Sequence, residues 1–383
     1  MRHLILSLLL ASSALHAAGE DADRQLANSL LAVSESRMPD ALTTVDQLTR
    51  QHPNFRLAQL VKGDLLLARA KPLDTLGNTG HARNPEVQQL RDEARQRVRA
   101  LTEQPNDKVP VYLLNLDDSY RHAVVVDASR SRLYVYENRA GLPVRVADFY
   151  ATIGKAGAGK QKEGDNRTPI GIYTISGFKP ARELTDFYGS GAFTLSYPNE
   201  WDTRQGRNGH GIWIHGSPSN TYARTPLASE GCVVLANDDL TRLSQYVQNG
   251  KTPVIIAEAV EWVAYPALDA RRNDLAAALD RWRQDWESLD TSRLLDHYST
   301  SFRTGSQDFR AFGASKHKIN ARKSWIKVGL SKVSLMLYPE RQDFALISFV
   351  QDYRSSNLSD QTVKRQFWSR ENGHWKIIHE TSL

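Results

Sequence analysis

The chain has 383 residues, 40% of them hydrophobic and 24% charged, with a formal net charge of +6. The length predicts two or three domains, and the composition excludes a disordered chain, because each domain has enough apolar residues to bury a core. The basic balance favours an anionic partner such as cell wall, lipid head groups or nucleic acid. Nucleic acid is disfavoured, because the sequence has neither a zinc-finger spacing nor an aromatic RNP pattern.

Residues 1–18 have the pattern of a secretory signal peptide. Arg2 supplies the positive charge, Leu4–Ala11 is an apolar run, and Ala14, Ala17 and Ala18 are small residues suited to cleavage. An uncleaved amphipathic helix is the alternative, but no polar face repeats within the apolar run. We therefore expect export to the periplasm. Since no later stretch approaches about 18 consecutive apolar residues, we expect no transmembrane segment in the mature protein.

The sequence contains a single cysteine, Cys232. Structural cysteines of exported proteins normally occur in pairs, and this one has no partner within the chain. The thiol is therefore either an intermolecular link or a reactive group, with an inert buried cysteine as the third reading. The residues around it decide between these readings.

Residues 19–108 are predicted to form a helical domain. Apolar residues recur at helical spacing within 26–33, 57–65 and 87–98, and prolines at positions 39, 53, 72 and 85 separate these stretches. Arg91, Arg95 and Arg99 form a stripe opposite the third apolar face, which indicates a solvated surface rather than an anion site. Residues 102–110 are the predicted linker, and the helical domain is a candidate surface for a homodimer.

Residues 109–262 follow the period of strands. β-rich runs at 123–126, 133–136 and 144–153 precede dense glycines and turn residues, which predicts a β-sandwich or barrel rather than a parallel sheet. One helix is expected after Asn237, the predicted N-cap. Leu240, Leu243 and Val247 would form its apolar face, and Gly250 would end it.

Residues 267–383 are predicted to form a compact α+β domain. Helical spacing at 275–286 is followed by a buried strand at 344–350, and the runs 363–368 and 375–378 flank Asn372-Gly373, a type I′ hairpin signal. Trp282, Trp286, Tyr298 and Phe302 are expected in the core, with a ligand pocket as the alternative. The predicted fold class is therefore α+β and multidomain, with a helical N-terminal region, a mostly-β middle domain and an α+β C-terminal domain.

Two short motifs in the middle domain carry the chemistry. Ile214-His215-Gly216-Ser217 is followed, after a polar loop, by Ser229-Glu230-Gly231-Cys232. A thiolate nucleophile needs a base to take its proton, and a histidine does this when its other ring nitrogen is held. The glycine before the cysteine lets backbone N–H groups approach a reacting carbonyl. We therefore expect the imidazole of His215 within hydrogen-bond reach of the Cys232 sulfur.

The two motifs resemble the signature of the L,D-transpeptidase catalytic domain, also called the YkuD domain, which is His-Gly-Ser/Thr followed after a similar spacer by Ser/Thr-x-Gly-Cys. The segment Arg167-Thr168-Pro169-Ile170-Gly171 resembles the Thr-Pro-x-Gly strand entrance of that family. The resemblance covers roughly residues 120–258. It implies a substrate, the peptide stem of bacterial peptidoglycan, and a thioester intermediate that forms as D-alanine leaves.

The resemblance also implies residue roles. Cys232 would be the nucleophile, His215 the general base, and Gly216 the carbonyl that orients the imidazole. The residues expected around the substrate and the oxyanion are Ser217, Ser229, Glu230 and Gly231. No cofactor and no metal is expected.

The sequence departs from the family pattern at two positions. Family members that form cross-links usually have His before the Gly-Cys pair and Arg two residues after the Cys, but Glu230 and Val234 stand here. The missing cation favours a relative that trims stems by hydrolysis. The three-part layout also resembles the helical-cell-shape L,D-carboxypeptidases of curved bacteria, whose third domain is NTF2-like.

Other chemistry-bearing residues have simpler interpretations. His210 lies five positions before His215, so strand alternation would place it on the opposite face and give it a structural role. A zinc site combining these histidines with Glu230 and Cys232 has no recognised ligand spacing. The segment Gly154–Lys160 superficially fits a phosphate loop. Because position 161 is Gln rather than Ser or Thr, a flexible surface loop is expected instead.

The leading hypothesis is a periplasmic L,D-carboxypeptidase that trims tetrapeptide stems to tripeptides, with water resolving the thioester. The second is an L,D-transpeptidase that forms cross-links or attaches a protein to peptidoglycan. The third is a non-catalytic cell-wall-binding adaptor, against which the presence of both His215 and Cys232 argues.

Overall fold

The computed structural model of the protein describes residues 21–72, 75–77 and 84–382. The predicted signal peptide, residues 1–18, lies outside these ranges. Within them, none of the helices has the length and apolar character that a membrane span requires.

The N-terminal region is helical, as predicted. Its helices are α1 (Asp21–Ser34), α2 (Met38–Gln51), α3 (Arg56–Leu67) and α4 (Pro85–Thr102). They bury a common core that includes Leu26, Leu48 and Leu57, each fully buried. The predicted helical stretches do not include α2, because the sequence rule places a helix break at Pro39. Pro39 instead lies in the first turn, where its missing N–H costs no hydrogen bond.

The middle domain is mostly β, which confirms the prediction. Its helices are α5 (Glu200–Arg204) and α6 (Asn237–Ser244), and its strands are β1 (Val109–Pro110), β2 (Leu113–Asn115), β3 (His122–Asp127), β4 (Arg132–Arg139), β5 (Leu142–Tyr150), β6 (Ile153–Gly154), β7 (Gly171–Pro180), β8 (Gly191–Leu195), β9 (Trp213–His215), β10 (Leu227–Ser229), β11 (Val233–Val234), β12 (Pro253–Ala257) and β13 (Trp262–Val263). The central sheet has the order β11-β9-β8-β7-β12-β3-β4-β5. It is a mixed sheet, because the pairs β11–β9 and β12–β3 are parallel and the other described pairs are antiparallel.

Helix α6 differs from its prediction at both ends. Ala236 is the N-cap residue, and Asn237 is the first residue of the helix. The Asn237 side chain instead accepts a hydrogen bond from the backbone of Ser190 (2.8 Å) and donates one to the carbonyl of Ser217 (2.9 Å). The helix ends at Ser244, before Gly250, and the Gly250 N–H bonds instead to the carbonyl of Ile175 in β7 (2.8 Å).

The C-terminal domain has the predicted α+β order. Its elements are α7 (Tyr265–Glu287), α8 (Thr291–Leu295), β14 (Tyr298–Thr304), β15 (Gln307–Asp308), α9 (Phe309–Asn320), β16 (Ile326–Leu337), β17 (Phe344–Ser355), β18 (Leu358–Glu371) and β19 (His374–Ser382). Strands β18 and β19 are antiparallel neighbours, and Asn372 and Gly373 between them both have positive φ (50° and 82°), as a type I′ turn requires. Trp282, Trp286 and Phe302 are buried core residues, as expected.

The middle and C-terminal domains share a core. Strand β2 leaves the middle domain and pairs with β16 at the edge of the C-terminal sheet. The Trp201 ring of α5 packs on Phe344 of β17 with 4.5 Å between centroids. The predicted boundary at residue 109 therefore precedes a short segment that is built into both domains.

Candidate active site

The two chemical motifs lie on one parallel strand pair. In the register of β9 and β11, Ile214 lies beside Val233 and His215 beside Val234. Cys232 directly precedes β11 and so lies beside Trp213, two residues before His215 on a neighbouring strand about 4.8 Å away. The fold thus brings His215 and Cys232 together, although a polar loop separates them in the sequence.

His215 is oriented as a neutral base. Its side chain is fully buried, and its Nδ1 lies 2.7 Å from the carbonyl oxygen of Gly216. A carbonyl only accepts, so Nδ1 carries the hydrogen and Nε2 carries the lone pair. Nε2 is buried and has no hydrogen-bond partner among the described residues. Burial lowers the pKa of His215 to about 4, so the ring is neutral near pH 7.

Cys232 lies next to β9, beside Trp213, and makes no hydrogen bond to the imidazole within the described residues. Its Sγ donates to the carbonyl of Gly211 at 3.3 Å, and its residue is half-buried. Burial raises the pKa of the thiol, while the backbone N–H of Trp213 opposes that rise. No hydrogen bond joins the sulfur and the imidazole within the described residues, because the single side-chain torsion of Cys232 directs the sulfur to Gly211. The predicted approach of the two groups, which allows a looser contact without substrate, stays a prediction.

The turn before the nucleophile is held by side-chain hydroxyls. Ser229 Oγ donates to the carbonyl of Cys232 (2.6 Å) and accepts from the N–H of Gly231 (3.1 Å). Thr168 Oγ1, also buried, donates to the carbonyl of Gly231 (2.9 Å). Gly231 has φ +127°, and a Cβ there would lie 2.8 Å from the carbonyl oxygen of Arg167, so only glycine fits. Ser229 and the Gly231 N–H thus brace the turn.

Gly216 and Ser217 hold the end of β9. Ser217 Oγ is buried and donates to the carbonyl of Leu235 at 2.9 Å. A Cβ on Gly216 would lie 2.1 Å from Asn237 Oδ1, which requires glycine at this position. Glu230, by contrast, is 77% exposed at the side chain, and its nearest cation is Lys155 at 3.9 Å. Of the residues expected around the substrate, Glu230 alone points into solvent.

Three side chains of the site have no spacing signal in the sequence, because they lie in a single-turn 3-10 helix (Asp186–Tyr188) and in a loop, where no spacing rule applies. The rings of Tyr188 and Phe187 flank His215, with centroids 5.0 and 5.7 Å from the imidazole. The guanidinium of Arg224 lies over Phe187, 4.7 Å from its centroid. The adjacent aromatic residues Phe187 and Tyr188, followed by Gly189, could have indicated a site, but aromatic pairs of this kind usually occur in cores.

The loop between the two motifs is docked on the N-terminal helices. The Tyr222 ring packs against His52 and Phe55, with centroids 4.5 Å from each. The backbone N–H of Tyr222 donates to the carbonyl of Asn54 (3.2 Å), and the Asn54 side chain donates to the carbonyl of Ser219 (3.1 Å). The helical region therefore fixes part of the active-site surround.

Two further predictions need correction. His210 lies in the loop before β9, which begins only at Trp213, so strand alternation does not apply. Its side chain is 81% exposed and 3.6 Å from Glu163, so it is not a structural residue of the core. Lys160 is buried and pairs with Asp165 at 2.9 Å, so the segment expected to be a flexible surface loop is braced internally.

Comparisons with known proteins agree with this geometry. Residues 121–256 match the family model of the L,D-transpeptidase catalytic domain, YkuD. The chain carries an L,D-transpeptidase catalytic domain. Residues 274–381 match the model of the Cds6 C-terminal NTF2-like domain, so the third domain is NTF2-like, as the layout predicted.

Solved structures extend the match over most of the chain. Bd1075 from Bdellovibrio bacteriovorus is 29% identical with a TM-score of 0.64, covering 72% of this chain and 98% of that one. The helical cell shape determining protein Pgp2 from Campylobacter jejuni is 29% identical with a TM-score of 0.60, covering 70% and 95% of the two chains. A search of curated proteins gave no match.

Proposed function

We propose that the protein is an L,D-carboxypeptidase that removes the terminal D-alanine from tetrapeptide stems of peptidoglycan. One observation carries the proposal. On the strand next to Cys232, His215 has its Nδ1–H held by the Gly216 carbonyl, and its Nε2 lone pair is buried without a partner among the described residues. This is the state that a general base requires before it takes a thiol proton.

The protonation states favour a general-base route over a preformed ion pair. Burial lowers the pKa of His215 to about 4 and raises the pKa of the Cys232 thiol, so both groups are neutral at rest. Rotation of the Cys232 side chain away from Gly211 would then bring Sγ to Nε2. The proton passes to Nε2 as sulfur bonds to the substrate carbonyl carbon. The imidazolium next returns a proton to the amine of D-alanine as the C–N bond breaks, which leaves a thioester.

Hydrolysis completes the cycle. Water gives a proton to Nε2 of His215 as its oxygen bonds to the thioester carbonyl, and the C–S bond then breaks to restore the thiol and release the tripeptide. A transpeptidase must instead hold an acceptor amine against the competition of water, which needs a second organised site. Val234, which stands where cross-linking relatives have arginine, is buried in the core and offers no charge for such a site.

The test is the incubation of purified tetrapeptide stems with the protein, followed by mass spectrometry of the products. We expect tripeptide and free D-alanine, and Cys232→Ala should abolish both while circular dichroism shows an intact fold. Arg139→Gln is the matched control, since Arg139 is 62% exposed and, among the described residues, forms a salt bridge with Glu137 on the same strand and with no other carboxylate. Activity in a folded Cys232→Ala protein would refute the cysteine mechanism. Cross-linked dimers as the main product would favour the L,D-transpeptidase, and wall binding without any product would favour the adaptor.

The proposal includes a periplasmic location, supported by the predicted signal peptide, and a role in cell shape, supported by the similarity to Pgp2, a helical cell shape determining protein. It also includes a homodimer through the N-terminal helical region. Cell fractionation tests the location, microscopy of a deletion strain tests the role in shape, and light scattering of the purified protein tests the dimer.

A further inference from the structure

Arg224 lies near His215 and Cys232, and contacts with the surrounding structure hold it in place. Its guanidinium lies 4.7 Å from the centroid of Phe187, and that ring in turn lies 5.7 Å from the ring of His215. The backbone of Arg224 is fixed by hydrogen bonds, because its carbonyl accepts from the hydroxyls of Tyr150 (3.0 Å) and Thr152 (2.9 Å). The side chain is therefore placed by the fold.

The charge of Arg224 is not neutralised by the protein. Within the described ranges no carboxylate lies within 4.0 Å of its guanidinium, and its Nη1 atom is buried without a hydrogen-bond partner. A partly buried cation without a partner is costly, and structures that retain one usually do so for function. Burial lowers the pKa of Arg224, while the nearby Glu230 and Cys232 raise it, so its charge acts on the nucleophile.

We propose that Arg224 is the residue that recognises the substrate's C-terminal carboxylate, binding that group on the D-alanine to be expelled. The inference rests on the proposed function. In a tetrapeptide stem only the amide nitrogen and one α-carbon separate the terminal carboxylate from the carbonyl that Cys232 attacks. A cation that receives it must lie next to the cysteine and histidine without contacting them, as Arg224 does.

The assignment also explains how the site compensates for Val234. The position that carries arginine in cross-linking relatives is here a buried valine, and the loop residue Arg224 brings a cation to the same strand end from another direction. Guanidinium matches carboxylate geometry with two parallel hydrogen bonds, which a lysine cannot reproduce. Such a receptor selects stems that end at the residue being removed. A pentapeptide, whose fourth residue has no free carboxylate, should be a poor substrate.

The test compares tetrapeptide ending in D-alanine with tetrapeptide ending in D-alaninamide. A hydrogen-bonded charge pair contributes about 1.5–3 kcal/mol, so kcat/KM of the unaltered protein should favour the carboxylate by roughly 10- to 150-fold. Arg224→Gln should lose most of that preference by losing activity on the carboxylate substrate, with the amide substrate little changed. Arg224→Lys should recover part of it, and Arg139→Gln should match the unaltered protein.

A binding experiment separates this inference from the proposed function. Calorimetry with Cys232→Ala, which cannot react, measures the affinity for the same two peptides, and adding Arg224→Gln should remove the preference for the carboxylate. If Arg224→Gln removes that preference in binding, but the protein with Cys232 intact releases no D-alanine, the carboxylate receptor is upheld and the hydrolase is refuted. If Arg224→Gln instead weakens the binding of both peptides equally, the assignment to the terminal carboxylate is overturned while the hydrolase stands.

Discussion

The buried imidazole of His215 predicts an unusual dependence of activity on pH. An ordinary histidine, with a pKa of 6.5, would lose most of its neutral form between pH 7 and pH 5, whereas burial lowers this pKa to about 4. At pH 5 about 90% of a base with a pKa of 4 is still neutral, against about 3% of a base with a pKa of 6.5. A group that acts as a base is active above its pKa, so kcat/KM should stay nearly constant from pH 7 down to pH 5 and fall only towards pH 4.

The assay is D-alanine release at substrate concentrations well below KM, measured from pH 4 to pH 8 at constant ionic strength. Folding must be checked at each pH, because the unfolded chain protonates His215 more readily than the folded one. The folded pKa lies below the unfolded value, so stability is lost as pH falls from 6.5 towards 4, by about 2 kcal/mol between pH 7 and pH 5. An acid limb centred near pH 6.5 in a folded enzyme would refute the argument, since it would mean that the base is solvated.

Two substitutions test how the site is braced. Thr168→Val removes the hydroxyl that donates to the Gly231 carbonyl and accepts from the Gly154 N–H (both 2.9 Å). We therefore expect the free energy of unfolding in urea to fall by about 2–4 kcal/mol, and kcat to fall as well. The control Thr241→Val, at an exposed position, should change stability by less than about 0.5 kcal/mol. Unchanged stability of Thr168→Val would show that the turn is held by other contacts. Tyr222→Ala removes the ring that docks on the N-terminal helices and should lower kcat/KM several-fold, whereas Tyr222→Phe keeps the ring and should behave as the unaltered protein. Equal activity of the two Tyr222 variants would show that docking does not matter for catalysis.

The sequence was informative where local patterns decide the structure. The hairpin at Asn372-Gly373 follows from turn chemistry, and the helical N-terminal region follows from apolar spacing. The candidate pair of His215 and Cys232 could be proposed because Cys232 is the single cysteine and stands in a recognisable motif. Features that depend on tertiary contacts were missed. Asn237 has the composition of an N-cap, but bonds to Ser190 and Ser217 outweigh that propensity.

The direction of the Cys232 sulfur and the position of Arg224 belong to the same class of missed feature. The sulfur direction is one rotamer choice, set by the distant Gly211 carbonyl, and no sequence rule reports it. Arg224 lies in a polar loop whose path depends on Tyr222 packing against residues more than 150 positions earlier in the chain. Because tertiary contacts place Arg224, its distance in sequence from the His215 and Cys232 motifs does not predict its position in the site.

The same contacts link the N-terminal helices to the candidate active site. Tyr222 is docked between His52 and Phe55, and Arg224 follows it by two residues in the same loop. The loop then runs into β10, whose last residue, Ser229, braces the turn that presents Cys232. A single connected segment therefore carries the docking ring, the proposed carboxylate receptor and the support of the nucleophile. Since loops ordered by packing lose less entropy on binding than free loops, we expect docking on the helical region to raise substrate affinity without a contact to the substrate.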